Sequence, residues 1–304
     1  MIALLFLAAC DSGESVAAEV GPIDVVIGDD HQFVLEASIV PSVVELDLSA
    51  EVSFDWHGLD TDVYGRSMSA NGERAEAWLF AAHGADMGEL LDGLANERLD
   101  QAALSLFTTC LADEPVCALR DFRLLDGAND VPERLAESGE TWGLVLINPV
   151  DGGLGAVHQV VAGDGVGQSA VELSAPSRLE LSVELGESKL AVPAGTAALR
   201  VDWGAVIVDG LGGDLASKSV DSLFVVHSSL APDALAEHIY DLDGVVDARW
   251  SMPIGREASA DLSELAGTEP FTGVTDSGTW ALGLSCGNCA TPAPRLFTVL
   301  TAAE

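Results

Sequence analysis

Two thiols three residues apart, in Cys286-Gly287-Asn288-Cys289, form the sharpest chemical motif in the chain. A redox dithiol of this spacing needs its first cysteine at a helix N-terminus, where the helix dipole stabilises the thiolate. Here a strand pattern leads in and Ala290-Thr291-Pro292-Ala293-Pro294 leads out. With no helix to lower a thiol pKa, the motif predicts a turn-closing disulfide. Cys110 and Cys117, in TTCLADEPVCAL, predict a second bridge that staples a loop. A structural zinc ion is the competing use of these four cysteines, and it requires the two pairs to meet in space.

Histidines and carboxylates supply the remaining candidates. His83 ends WLFAAH and His227 ends SLFVVH, each at a strand end just ahead of a helical pattern. Such a repeated histidine could ligate copper or zinc. Yet the position matching His57 is Gly204, so no second ligand repeats at a fixed short spacing, and a histidine that hydrogen-bonds its own loop is the preferred reading. Asp55 and Asp202 likewise share a position, beside Trp56 and Trp203 and ahead of GLDTDVYG and GAVIVDGLGGD. Together with Asp241, Asp243 and Asp247 in YDLDGVVD they are candidate oxygen ligands for calcium, although YDLDGVVD lacks the closing glutamate of a calcium loop. Among 49 Asp and Glu residues some clustering arises by chance. No catalytic residue is assigned: no G-x-S-x-G elbow is expected, and H-E-x-x-H and the nucleotide-binding fingerprints are absent. The glycines Gly163, Gly165 and Gly167 have neither a P-loop lysine nor a following helix, and read as a linker.

The elements that must position these residues recur. VSFDW ending at Trp56 matches LRVDW ending at Trp203, WLFAAH matches SLFVVH, and ESGETWGLVL around Trp142 matches DSGTWALGL around Trp280. The offsets of 147, 144 and 138 drift as small loop deletions would make them drift. Val52, Phe54 and Trp56 alternate with polar residues, as do Leu199, Val201 and Trp203, which marks strands with one buried face. WLFAAH and SLFVVH are apolar on both faces, as central strands are. Met87, Leu90, Leu91 and Leu94 then recur at helical spacing, and so do Leu235, Ile239 and Leu242 behind Pro232 and Asp233.

The expected fold is therefore mainly β: two tandem homologous β-sandwich-like domains, each with one inserted short α-helix of about three turns. An α+β sheet with the helix on one face is the alternative. The expected boundaries are a signal peptide over 1–9, a lipidated tether over 10–22, copy 1 over 23–163, a linker over 164–170 and copy 2 over 171–304.

Composition narrows the partners. Against 49 acidic residues stand 13 Lys and Arg, a formal charge of -36 that repels phosphate backbones, so nucleic acid is excluded as a partner. A hydrophobic fraction of 48% is too high for a disordered acidic chain. Ile2 to Ala9 is unbroken apolar sequence, far too short for a membrane span. It reads as the core of a secretory signal. Leu7-Ala8-Ala9-Cys10 then resembles the lipobox of bacterial lipoproteins. That resemblance implies acylation of Cys10 and attachment to the membrane through the N-terminal lipid. The expected function is a non-catalytic binding or scaffolding module of the bacterial cell envelope, on its outer membrane or periplasmic face, with an envelope protein or polysaccharide as partner. A metal-binding envelope protein (copper, zinc or calcium) is the alternative, and an envelope hydrolase comes third.

Overall fold

The computed structural model describes residues 22–40, 42–68, 76–82, 93, 104–110, 116–124, 135, 141–147, 154–162, 169–173, 178–186, 189–287, 289 and 291–303. It is mainly β. The first ten strands are β1 (Ile23–Val26), β2 (Val34–Val40), β3 (Ser42–Leu46), β4 (Ser53–Asp55), β5 (Glu76–Ala82), β6 (Leu104–Cys110), β7 (Val116–Ala118), β8 (Arg123–Leu124), β9 (Thr141–Ile147) and β10 (Leu154–Ala162). The second ten are β11 (Ala170–Glu172), β12 (Arg178–Glu184), β13 (Leu190–Pro193), β14 (Leu199–Asp202), β15 (Ser222–Ser228), β16 (Ala248–Pro253), β17 (Ser259–Asp261), β18 (Ala266–Gly267), β19 (Thr279–Ser285) and β20 (Leu296–Ala303). Among the described residues no helix is long and apolar enough to cross a membrane.

Two six-stranded sheets carry the architecture, ordered β3-β10-β9-β5-β6-β8 and β13-β20-β19-β15-β16-β18. The doubly apolar segments become β5 and β15, each hydrogen-bonded on both sides. A three-stranded sheet, β11-β4-β7, covers one face of the first. Their shared core sets Phe54, Cys117 and Val171 against Leu144, Leu146, Ala156 and Val160. A second three-stranded sheet, β1-β14-β17, covers the other six-stranded sheet in the same way. Val25, Val201 and Ala260 pack there with Leu223, Val225, Leu282 and Leu296. In β14 the buried Leu199 and Val201 alternate with exposed Arg200 and Asp202, which is the period of two read from the sequence.

The opposite faces of the six-stranded sheets meet in a third core. Val145 and Val157 from one sheet join Phe224, Val226, Ala281 and Phe297 from the other. Leu35, Ala37 and Ile39 of β2 complete it. β2 pairs antiparallel with β12 as a separate two-stranded ribbon. Strands also cross between the halves of the chain: β1 pairs in parallel with β14, and β11, which opens at Ala170, pairs in parallel with β4.

The helix of the second half is shorter than its spacing predicts. It spans only Pro232–Ala236, with Pro232 in its first turn, and Leu242 belongs to a separate 3-10 turn, Leu242–Gly244. Asp241, Asp243 and Gly244 favour turns over helix, so the apolar periodicity is carried by two short pieces. Leu235, Ile239 and Leu242 are nonetheless all buried in the central core. The pattern at Met87, Leu90, Leu91 and Leu94 lies outside the described residues.

Candidate functional site

Both cysteine pairs have their sulfurs at bonding distance, with Cα atoms 6.5 Å apart for Cys110 and Cys117 and 5.5 Å apart for Cys286 and Cys289. The four thiols are thus used within the pairs. The first bridge does more than staple a loop. Cys110 ends β6 in the six-stranded sheet and Cys117 lies in β7 of the sheet that covers it, so the bond ties two layers together. Replacing Cys110 and Cys117 together by alanine is expected to cost about 2–3 kcal/mol, from loop entropy and lost layer contacts. Urea unfolding at neutral pH measures this. The Cys286→Ala, Cys289→Ala pair, which closes a shorter loop, is expected to cost less.

Asp55 and Asp202 hold equivalent turns. Asp55 Oδ1 accepts hydrogen bonds from His57 N at 3.0 Å and His57 Nδ1 at 2.8 Å. The backbone bond first, then the side-chain bond, holds its carboxyl below the usual carboxylate range. Asp202 Oδ1 accepts from Gly204 N at 2.8 Å. Each carboxylate closes the turn that ends its strand.

His227 is the penultimate residue of β15, at the strand end. Its Nε2 donates to Ser277 O at 3.0 Å, its Nδ1 stands 3.7 Å from Asp247 Oδ2, and its ring packs on Trp280 with centroids 4.7 Å apart. Asp243 pairs with Arg249. His83 and Cys10 lie outside the described residues. Asp55, Asp202 and His227 stand in three different sheets. Among the described residues no three His, Cys, Asp or Glu side chains converge on a point where an ion could sit.

A pair of buried carboxylates escapes the sequence reading. Asp62 and Asp209 are only 1% and 3% exposed, in the two acidic loops GLDTDVYG and GAVIVDGLGGD. Asp62 Oδ1 accepts from Tyr64 N at 2.9 Å and Arg66 N at 2.8 Å, while its Oδ2 meets the Arg66 guanidinium at 2.8 Å. Asp209 Oδ1 accepts from Leu211 N at 3.1 Å and Gly213 N at 2.7 Å, and its Oδ2 is 3.8 Å from Nη1 of the fully buried Arg295. Their separation of 147 equals that of Trp56 and Trp203, which is the signal that could have singled them out. These loops are hairpins pinned by an internal carboxylate and an arginine.

Arg66 also reaches a cleft of about 210 Å³ between the halves, lined from the second half by Tyr240, Asp243, Arg249, Ser285 and Pro292. The Tyr64 and Tyr240 rings, the only two tyrosines of the chain, have centroids 4.6 Å apart. Arg66 lies over Tyr64 at 5.3 Å and Arg249 over Phe224 at 4.8 Å. Arg66, Asp243 and Arg249 give the cleft a charged lining, while the Tyr64, Tyr240 and Phe224 rings are buried beside it. A second cleft, of about 290 Å³, likewise draws on both halves, with His31 facing Lys189, Asp233 and Phe297.

Ser285 raises one catalytic question that a reading of enzyme signatures overlooks, because Gly283-Leu284-Ser285-Cys286-Gly287 fits G-x-S-x-G. In a nucleophile elbow the serine sits between a strand and a helix. Here β19 ends at Ser285, the bonded loop of Cys286 and Cys289 follows, and Ser285 Oγ shares a hydrogen bond with Ser222 Oγ. The pentapeptide is a strand end, not an elbow.

No protein-family model, curated protein or solved structure matches this chain.

Proposed function

We propose that the protein is a lipid-anchored cell-envelope protein that binds or scaffolds an envelope protein or polysaccharide and performs no catalysis. The observation that carries this reading is the pairing of Cys110 with Cys117 and Cys286 with Cys289. Disulfides persist in oxidising compartments, which supports export. Of five cysteines, that leaves Cys10, which stands in the lipobox-like Leu7-Ala8-Ala9-Cys10. An acylated Cys10 moors the body at the bilayer, and the clefts between its halves supply surfaces for a partner. The charge of -36 keeps the body itself off anionic lipid heads, so attachment rests on the acyl chains.

Replacing Cys10 by serine is expected to move the protein from the membrane fraction to the soluble fraction, with the mature N-terminal peptide losing its fatty-acid mass. An unchanged distribution, or a parent N-terminus without acyl mass, refutes the anchor.

A further inference from the structure

We infer that the chain carries twice a module built to pair with a copy of itself, and that each half is the other's partner through reciprocal exchange of its first strand. This inference concerns how the halves associate and does not depend on the lipid anchor.

Strand exchange is the first observation. β1 leaves the first half and pairs in parallel with β14 of the second, setting Val25 beside Val201. β11 leaves the second half and pairs in parallel with β4 of the first, setting Val171 beside Phe54. Phe54 and Val201 are equivalent, each two residues ahead of its repeated tryptophan. Each three-stranded sheet is therefore completed by the opposite half.

The ribbon between the halves is the second. β2 and β12 follow the exchanged strands and precede the equivalent edge strands β3 and β13. They pair antiparallel in a register centred on Ala37 opposite Leu181, with Val34 opposite Glu184 at one end and Val40 opposite Arg178 at the other. Two equivalent strands paired antiparallel about their midpoints are what a two-fold axis produces, the symmetry of an isologous dimer. The six-stranded sheets repeat the same order element for element, and their inner faces share one core. The partner of the module is thus a second copy of the module. The linker between β10 and β11 turns a two-chain assembly into a single chain. The first half contributes one lining residue to each cleft, Arg66 to one and His31 to the other.

The test uses the full chain in mild detergent. A protease site placed in residues 163–168 allows the halves to be separated covalently, and Ala37→Cys with Leu181→Cys places two thiols directly opposite across the ribbon. Opposite residues of an antiparallel ladder have Cα atoms roughly 4.5–5.5 Å apart, within disulfide range. After cleavage, the otherwise unchanged chain should run as one species on native gel filtration and as two fragments on a denaturing gel. The double-cysteine chain should stay joined on a non-reducing denaturing gel, and Leu181→Cys alone should not. Fragments that separate under native conditions overturn the inference. So does a folded double-cysteine chain that forms no bridge or links two N-terminal fragments to each other.

Discussion

Replacing Arg295 by methionine is expected to remove about 3–5 kcal/mol of stability, the cost of leaving one member of a buried ion pair unpartnered. Arg295 is 0% exposed, with its Nη2 3.3 Å from Thr291 Oγ1 and its Nη1 beside Asp209 Oδ2. Without the guanidinium, the Asp209 carboxylate keeps its two backbone donors and loses its counter-charge in a site that water does not reach. Adding Asp209→Asn to Arg295→Met should restore part of the loss, because the amide oxygen can still accept from Leu211 N and Gly213 N while the charge is gone. The cycle of single and double variants, read by urea unfolding, isolates that coupling. A loss below about 1 kcal/mol for Arg295→Met would show that the pair is hydrated and contributes no more than a surface salt bridge. Arg66→Met, in the equivalent loop of the first half, is expected to cost less. The Arg66 side chain is 24% exposed, so solvent can take over part of its role toward Asp62.

This contrast marks how far the sequence could be read. Alternation at Val52, Phe54 and Trp56, and at Leu199, Val201 and Trp203, identified strands with one buried face, and Phe54 and Val201 do lie in β4 and β14. Doubly apolar WLFAAH and SLFVVH correctly marked central strands. Alternation says which face of a strand is buried and not which neighbour it bonds. The exchange of β1 and β11 therefore has no local signature. For the same reason the Cys110–Cys117 bridge looked like a loop staple, since nothing in the spacing tells that β6 and β7 belong to different layers. The burial of Asp62 and Asp209 has no local signature, because each carboxylate is buried against an arginine and Arg295 lies far along the chain. The helix around Leu235 was overextended because its apolar period runs on through Ile239 and Leu242 after the backbone has turned.

Acid is expected to weaken the fold through His158, between about pH 6.5 and pH 4. His158 lies in β10 opposite Ser42 of the edge strand β3, is 2% exposed, and shares a hydrogen bond through Nδ1 with Ser42 Oγ. Among the described residues its Nε2 has no hydrogen-bond partner. Burial holds its pKa down to about 4. The folded state therefore binds its proton later than the unfolded chain does as pH falls. The stabilising contribution is complete above the unfolded value near 6.5 and is lost as pH drops through the folded value. That difference corresponds to about 3 kcal/mol between neutral pH and pH 4. Asp47 and Asp55, whose hydrogen bonds lower their pKa values, lose their contributions only below the ordinary carboxylate range, outside this window. Relief of the acidic self-repulsion acts in the opposite direction, but equally on parent and variant. The comparison is therefore His158→Thr, which installs the residue that β20 carries at the equivalent place, Thr298, two residues before the partner of Trp280. The variant should lose a constant amount from poorer packing, while its stability should change with pH by about 3 kcal/mol less than the parent's across the window. Parallel curves would mean that the imidazolium is solvated or paired in the folded state, contrary to its burial between β9 and β3.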